Sequence, residues 1–252
     1  MSDRTQVWSS GGGVQSAAIA ALIVQGHIRP DLAVIIDTER EQSTTWAYMD
    51  QVINPALAKV GVVLNRVKKS EFEKTDLYGG KDKDTLLIPA FTNINGDVGK
   101  LSTYCSSYWK REVVKRWTTA QGVTKAEQWL GISVDEMSRI QKDKGGKWAT
   151  RYPLIERALN RGQCVDLVRS MGWPDAPRSS CYMCPNHTAH EWRDIRDNKP
   201  QDWQAAIKFE REMRIVDKNA FLHHDAVPLD KADLDEKNGV LFEHCDSGMC
   251  FV

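Results

Sequence analysis

Thr5-Gln6-Val7-Trp8-Ser9, then Ser10-Gly11-Gly12-Gly13, then Val14-Gln15-Ser16 reads as a short strand, a glycine-rich turn and the start of a helix. Ala17, Ala18, Ala20, Ala21, Leu22 and Val24 continue the helical pattern to Gln25, and Gly26 ends it. Leu32-Ala33-Val34-Ile35-Ile36 is an unbroken apolar run, the pattern of a strand buried on both faces, and it stops at Asp37-Thr38. Ser43 to Val60 reads as a second helix with hydroxyl residues suited to its N-terminus, and Val62 to Val67 as a third strand. Strand–helix–strand–helix–strand is the signature of an α/β fold with a doubly wound, mostly parallel sheet. Further on, the polar stretch 68–103 reads as a long loop region with a turn at Asn93-Ile94-Asn95-Gly96. Cys105–Thr118 is expected to be helical and Ala126–Ile132 a strand. Past Pro153 the pattern changes to short helices, including Arg161–Gly172 and Trp203–Asp217, broken by Pro174, Pro177 and Pro185. The expected division is a nucleotide-binding core over 1–155 and a helical, cysteine-bearing C-terminal part over 156–252.

A strand feeding a glycine turn and a helix N-terminus builds an anion site. Backbone N–H groups point at the ligand, the helix end adds partial positive charge, and glycine lets the chain approach phosphate without Cβ atoms. Three ligands fit that description. A Walker A loop ends in Gly-Lys-Ser/Thr, and Val14-Gln15-Ser16 has no lysine. A dinucleotide loop fits Gly11-x-Gly13 and has Asp37 at about the 20-residue spacing expected, but Ser16 stands where its third glycine belongs. A pyrophosphate-gripping loop, which holds the β- and γ-phosphates of ATP while the α-phosphate is attacked, is the third.

Composition narrows the class. Of 252 residues, 41% are hydrophobic and 27% charged, the balance of an ordinary globular chain. Basic and acidic residues number 34 each, so no net positive field favours coating of DNA. No apolar run approaches the roughly 18–20 residues that span a bilayer, and residues 1–6 lack the apolar core of a signal peptide. The expectation is a cytoplasmic protein without a membrane partner. In a reducing compartment the six cysteines read as metal ligands or redox groups before disulfides.

Ser9-Ser10-Gly11-Gly12-Gly13-Val14-Gln15-Ser16 resembles the PP-loop of the phosphoadenosine phosphosulfate reductase-like proteins of bacteria and phages. The resemblance continues in order along most of the chain. It takes in Asp37-Thr38, where Glu39 replaces the usual glycine, then Pro89-Ala90-Phe91-Thr92, and Thr103-Tyr104-Cys105-Ser106 with Lys110. Gly131-Ile132-Ser133-Val134-Asp135-Glu136 with Arg139 follows, then Tyr152-Pro153-Leu154-Ile155, and Arg161 with Cys164. Arg178-Ser179-Ser180-Cys181-Tyr182-Met183-Cys184-Pro185 with His187 and Trp192 comes next, and the tail Glu243–Cys250 closes the series. The resemblance implies an adenine-nucleotide α-hydrolase-like fold and ATP-pyrophosphatase chemistry, often coupled to sulfur. Relatives act on sulfonucleotides, tRNA or DNA, so it implies a nucleotide or nucleic-acid substrate. It also implies a sulfur donor such as a cysteine desulfurase, or a thiol reductant.

Cys181-x-x-Cys184 is the clearest chemical pair, because two thiolates at this spacing on a turn can share one metal centre. Cys105 and Cys164 are the candidates to complete a four-thiolate site. Pro185 directly after Cys184 favours an iron–sulfur cluster of the 4Fe-4S type, structural zinc suits the same ligands, and buried unliganded cysteines are a third reading. Cys245 and Cys250 read either as a thiol relay or as an incidental pair. His187, His190, His223 and His224 read as solvated or core histidines rather than ligands. The expected chemistry is adenylylation of an acceptor by ATP and Mg²⁺, followed by sulfur transfer. In it, Ser9, Gly11–Gly13, Val14, Gln15 and Ser16 hold phosphate, Asp37 and Thr38 meet adenosine, and Lys110 and Arg139 stabilise charge. Asp135 or Glu136 holds Mg²⁺ or the acceptor, or caps a helix. The rival readings are a sulfonucleotide reductase with Cys250 as nucleophile, and a non-catalytic ATP-sensing module with structural zinc.

Overall fold

The structure is a computed structural model and describes residues 3–80, 84–140 and 146–235. Along the chain these form β1 (Thr5–Ser10), α1 (Val14–Val24), β2 (Leu32–Asp37), α2 (Ser43–Tyr48), α3 (Asn54–Ala58), β3 (Leu64–Lys68) and α4 (Lys69–Phe72). Four short strands follow, β4 (Tyr78–Gly79), β5 (Thr85–Leu86), β6 (Phe91–Ile94) and β7 (Asp97–Lys100). Then come α5 (Glu112–Ala120), β8 (Ala126–Trp129), β9 (Trp148–Arg151), α6 (Arg161–Ser170), α7 (Ala189–Asn198), α8 (Pro200–Val216) and β10 (Ala220–Phe221). π-helical turns join α2 to α3 and lead into α5.

The described chain divides into two compact units, each made of two segments. The first takes residues 3–73 and Trp109–Ser179, and the second takes residues 74–108 and 180–235. This differs from a continuous division at 155. Residues 74–108 leave the first unit, and α6, beyond 155, returns to it and packs on α1.

The first unit is built on a five-stranded sheet in the order β3-β2-β1-β8-β9, every pair parallel. This is the doubly wound α/β architecture expected from the sequence. Strand alternation divides the apolar side chains between two faces. Trp8, Ala33 and Ile35 join α1, α3 and α6 in one core, and Val7, Val34 and Ile36 join Val113, Val114 and Trp117 of α5 in another. Helix α1 is apolar almost all round, and its residues Ala17–Ile23 are buried. Such a helix is stable only when covered on every side, which the sheet, α3 and α6 accomplish.

The second unit contains a two-stranded β4–β5 ladder, an antiparallel sheet in the order β10-β6-β7, and the helices α7 and α8. The polar stretch read as loop thus carries hairpins. At the β6–β7 turn Asn95 and Gly96 both have positive φ, 55° and 93°, the backbone that Asn-Gly favours in tight hairpins. Asn160 with Gln163, and Thr188 with Glu191, form reciprocal capping boxes at the starts of α6 and α7. Glu210 of α8 is 2% exposed and accepts the Leu222 and Leu229 N–H groups at 2.8 and 2.6 Å, while burial pushes its carboxyl above the usual range. No helix among the described residues is long and apolar enough to cross a membrane.

Glu210→Gln puts an amide N–H₂ against one of two buried N–H donors. The variant is expected to lose about 1–3 kcal/mol of stability in urea denaturation.

Candidate functional site

The strand order reverses at β1, which has β2 on one side and β8 on the other. In open α/β sheets, ligands bind beyond the carboxyl ends of the strands at this switch point. The segments leaving β1 and β8 there are Gly11-Gly12-Gly13 and Leu130-Gly131-Ile132-Ser133.

The glycines are required by space. Gly12 has φ +79°, and a Cβ on it would lie 2.9 Å from Thr45 Cγ2 and 3.1 Å from Ser179 Oγ. A Cβ on Gly131 would lie 3.3 Å from Gln15 Cβ and 3.4 Å from Ser16 N, so the loop after β8 runs against the first turn of α1. Within the loop, Gly11 N–H donates to Ser16 Oγ at 2.6 Å and Gly12 N–H to Ser10 Oγ at 3.3 Å. The Ser179 hydroxyl donates to the Gly11 carbonyl. Gly13 is the N-cap of α1 and supplies no side chain to cap the first N–H groups of that helix.

Polar side chains ring the loop within this unit. Gln15 donates to Glu136 Oε2 at 2.8 Å, and Arg139 Nη1 pairs with Glu136 Oε1 at 2.7 Å. Arg161 reaches Gln15 Oε1 at 3.4 Å. Asp135 Oδ1 accepts the Arg161 N–H at 3.0 Å, so it serves the N-terminus of α6. At the end of β2, Asp37 takes Arg66 Nε and Nη2 on one oxygen, at 2.9 and 2.6 Å, and the Glu39 N–H on the other at 2.7 Å. Arg66 lies over the Trp46 ring at 3.5 Å. Glu39 has φ +63°, a left-handed backbone at the position where the resemblance puts glycine. Thr38 Oγ1 donates to Glu41 Oε1 at 3.2 Å, and Lys110 Nζ pairs with the same oxygen at 3.1 Å. Ser9, Ser16, Asp37, Thr38, Glu41, Lys110 and Glu136 are all buried.

Of the anticipated site residues, the first unit therefore holds the glycine loop, Asp37, Thr38, Lys110, Asp135 and Arg139. It also holds Cys164, which is wholly buried in the core between α1 and α6, where desolvation pushes its thiol up to about 12. The second unit holds Cys105, Cys181 and Cys184, each half-buried and none in a disulfide. The Cys184 N–H bonds to the Cys181 carbonyl at 3.1 Å and the His187 N–H to the Cys184 carbonyl at 3.2 Å, so the pair sits on successive tight turns. His187 Nε2 lies 3.0 Å from the Cys181 carbonyl oxygen, and the His187 ring stands edge-on to Trp192. Cys245 and Cys250 lie outside the described residues.

The sequence reading did not single out Glu41 or Arg66, and it took in Ser179 only as part of the motif Arg178–Pro185, without a role. Arg66 had a signal, because a cation on β3 beside the end of an apolar β2 falls next to Asp37. Glu41 had none, and only the fold brings it to Lys110 and Ser179 to Gly11.

No family model matches this sequence, and no curated protein matches it. Among solved structures the chain is similar to phosphoadenylyl-sulfate (PAPS) reductase from Candida auris in its phosphate complex. That likeness has 15% identity over 68% of this chain and 75% of the other, with a TM-score of 0.42. The chain is also similar to the U34-tRNA thiolase NcsA from Methanococcus maripaludis with its 4Fe-4S cluster, at 12% identity over 85% of this chain and 72% of the other, with a TM-score of 0.45.

Gly12→Ala and Gly26→Ala both place a side chain at positive φ, but a Cβ on Gly26 meets nothing within 4 Å. The backbone strain common to both is about 1–2 kcal/mol. Gly12→Ala is expected to cost measurably more than Gly26→Ala in chemical denaturation, and it alone is expected to weaken nucleotide binding.

Proposed function

We propose that this protein is a PP-loop enzyme that binds ATP and adenylylates an acceptor oxygen, preparing it for sulfur transfer. The observation that carries this reading is the uncapped N-terminus of α1 at the switch point, lined by backbone that approaches closely at Gly12 and Gly131. Such a surface suits a pyrophosphate group, which is anionic, compact and gripped through N–H donors. A dinucleotide reading is less favoured, because the Asp37 carboxylate that would hold a ribose is already engaged by Arg66 and the Glu39 N–H.

In this reading Gly13, Val14 and Gln15 present N–H groups to the β- and γ-phosphates. Ser16 accepts the Gly11 N–H and keeps its own proton to donate to phosphate oxygen. Lys110 and Arg139 supply positive charge, each positioned by a buried carboxylate, Glu41 and Glu136. Asp135 would take Mg²⁺ through the oxygen that does not accept the Arg161 N–H. The acceptor oxygen attacks the α-phosphorus, the bond to the bridging oxygen breaks, and pyrophosphate leaves with the negative charge. A sulfur nucleophile then displaces AMP. Holding reactants in line and neutralising charge accounts for most of the acceleration in such transfers.

Cys105, Cys181 and Cys184 give the second unit thiols of the chemical type that an iron–sulfur cluster takes. Cys105, Cys181 and Cys184 would hold it, and it would supply an iron able to bind sulfur. Among the described residues these three thiols belong to the second unit and Cys164 to the first. The PAPS reductase and the cluster-bearing tRNA thiolase are both sulfur-related enzymes, as their names state, in keeping with this class.

Pyrophosphate release from ATP, measured with nucleotide, tRNA and DNA acceptors in turn, tests the proposal. One acceptor class is expected to stimulate release, and Ser16→Ala is expected to lower it at least tenfold, about 1.4 kcal/mol. ATP bound without pyrophosphate release for any acceptor would sink the adenylylation step. Sulfite released from a sulfonucleotide without ATP would replace it with the reductase.

A further inference from the structure

The second unit holds a side-chain cluster that the proposed chemistry does not use. His223, His224 and Asp225 follow β10, and one ligand atom from each lies within 4.8 Å of the others. Asp225 turns one oxygen to each imidazole: Oδ2 lies 3.3 Å from His223 Nδ1, and Oδ1 lies 3.1 Å from His224 Nε2. Metal–nitrogen and metal–oxygen bonds of about 2.0–2.2 Å set neighbouring ligand atoms about 2.9–3.5 Å apart in tetrahedral or octahedral sites. The two imidazole–carboxylate spacings lie in that interval, and the two imidazoles offer nitrogens within 4.8 Å of each other.

The protonation of His223 points the same way. Its side chain is fully buried, and Nε2 has no hydrogen-bond partner among the described residues. Nδ1 accepts the Asp225 N–H at 3.3 Å while facing the Asp225 carboxylate. With the ring proton on Nε2, a buried donor is unserved and a lone pair faces an anion. With the proton on Nδ1, a bare nitrogen is buried instead. Neither tautomer satisfies both ring nitrogens, and a cation on Nδ1 would take the place of the Asp225 N–H on that lone pair, facing the carboxylate.

The segment is also held in place from outside. Both oxygens of buried Glu210 fasten it at Leu222 and Leu229, on either side of the cluster. Ala226 takes a left-handed backbone, φ 51°, and its N–H bonds to the His223 carbonyl at 3.0 Å. Such a backbone at alanine persists only where its surroundings over-determine it. The His224 ring packs against His223, with centroids 4.2 Å apart, and stands edge-on to Phe91. Fixed donors of this kind are pre-organised ligands.

We propose that His223, His224 and Asp225 form a binding site for one borderline divalent transition-metal ion such as Zn²⁺, distinct from the cysteine centre. Two imidazoles and one carboxylate suit zinc-like ions over Mg²⁺ or Ca²⁺, which prefer all-oxygen sets. Half-buried His224 and exposed Asp225 give the ion a route in and leave a coordination position for water or a small anion.

Cobalt(II) alone, titrated into the full-length protein without oxygen, tests this. Calorimetry and visible spectra are expected to report one equivalent with d–d absorption and no thiolate charge-transfer band. That equivalent is expected to survive Cys181→Ser and to weaken at least tenfold in His224→Ala and Asp225→Asn. Asp225→Asn keeps the size of the side chain, and circular dichroism of each variant separates lost ligation from lost fold. Unchanged cobalt binding in both folded variants, or loss of the equivalent in Cys181→Ser, would overturn the site.

Discussion

The first unit depends on a close approach of backbone to backbone at the carboxyl end of β1. Gly12 lies under the Thr45 and Ser179 side chains with no room for a methyl group, and Gly131 lies against the first turn of α1, where a methyl group would be a tight fit. This contact sets where α1 begins. The helix start in turn fixes how an apolar rod is seated between the sheet, α3 and α6. Sheet, core and glycine loop thus meet at the same few atoms, and none of them can be altered there without the others.

Charge around that point is arranged in short chains. Arg161, Gln15, Glu136 and Arg139 form one, Thr38, Glu41 and Lys110 a second, and Arg66 with Asp37 a third. Each carboxylate is buried, so each cation near it is needed to offset desolvation. Lys110 and Arg139 are therefore positioned before any ligand arrives. A phosphate entering the site would meet side chains whose geometry is already set and would compete with Glu41 and Glu136 for them.

What could be read from the sequence follows the range of the interactions involved. β1, α1 and β2 are legible because local apolar runs and a glycine turn specify them. The fold and the loop's position follow from these. The β6–β7 hairpin escaped because its strands are short and polar, although the Asn95-Gly96 turn that makes it was visible. β9 and α7 were also missed. For α7 the Thr188-x-x-Glu191 cap was a usable sign, whereas β9 is a short edge strand held by pairing to β8. Glu41, Ser179 and the His223–Asp225 cluster acquire meaning only through partners brought by the fold, or through a burial that no local pattern reports.

The interleaved segments of the two units bear on how the chain acquires its structure. β8, β9 and α6 must return to a sheet begun by β1–β3 after residues 74–108 have been passed over, and those residues wait for residues 180–235 to complete their own unit. Neither unit can close from consecutive residues alone. Loop closure must be paid in entropy before the long-range contacts that reward it can form. The edge of β1 that will receive β8 stays uncovered in the interval. Until β8 pairs with it, the uncovered edge belongs to the same strand whose end carries the glycine loop.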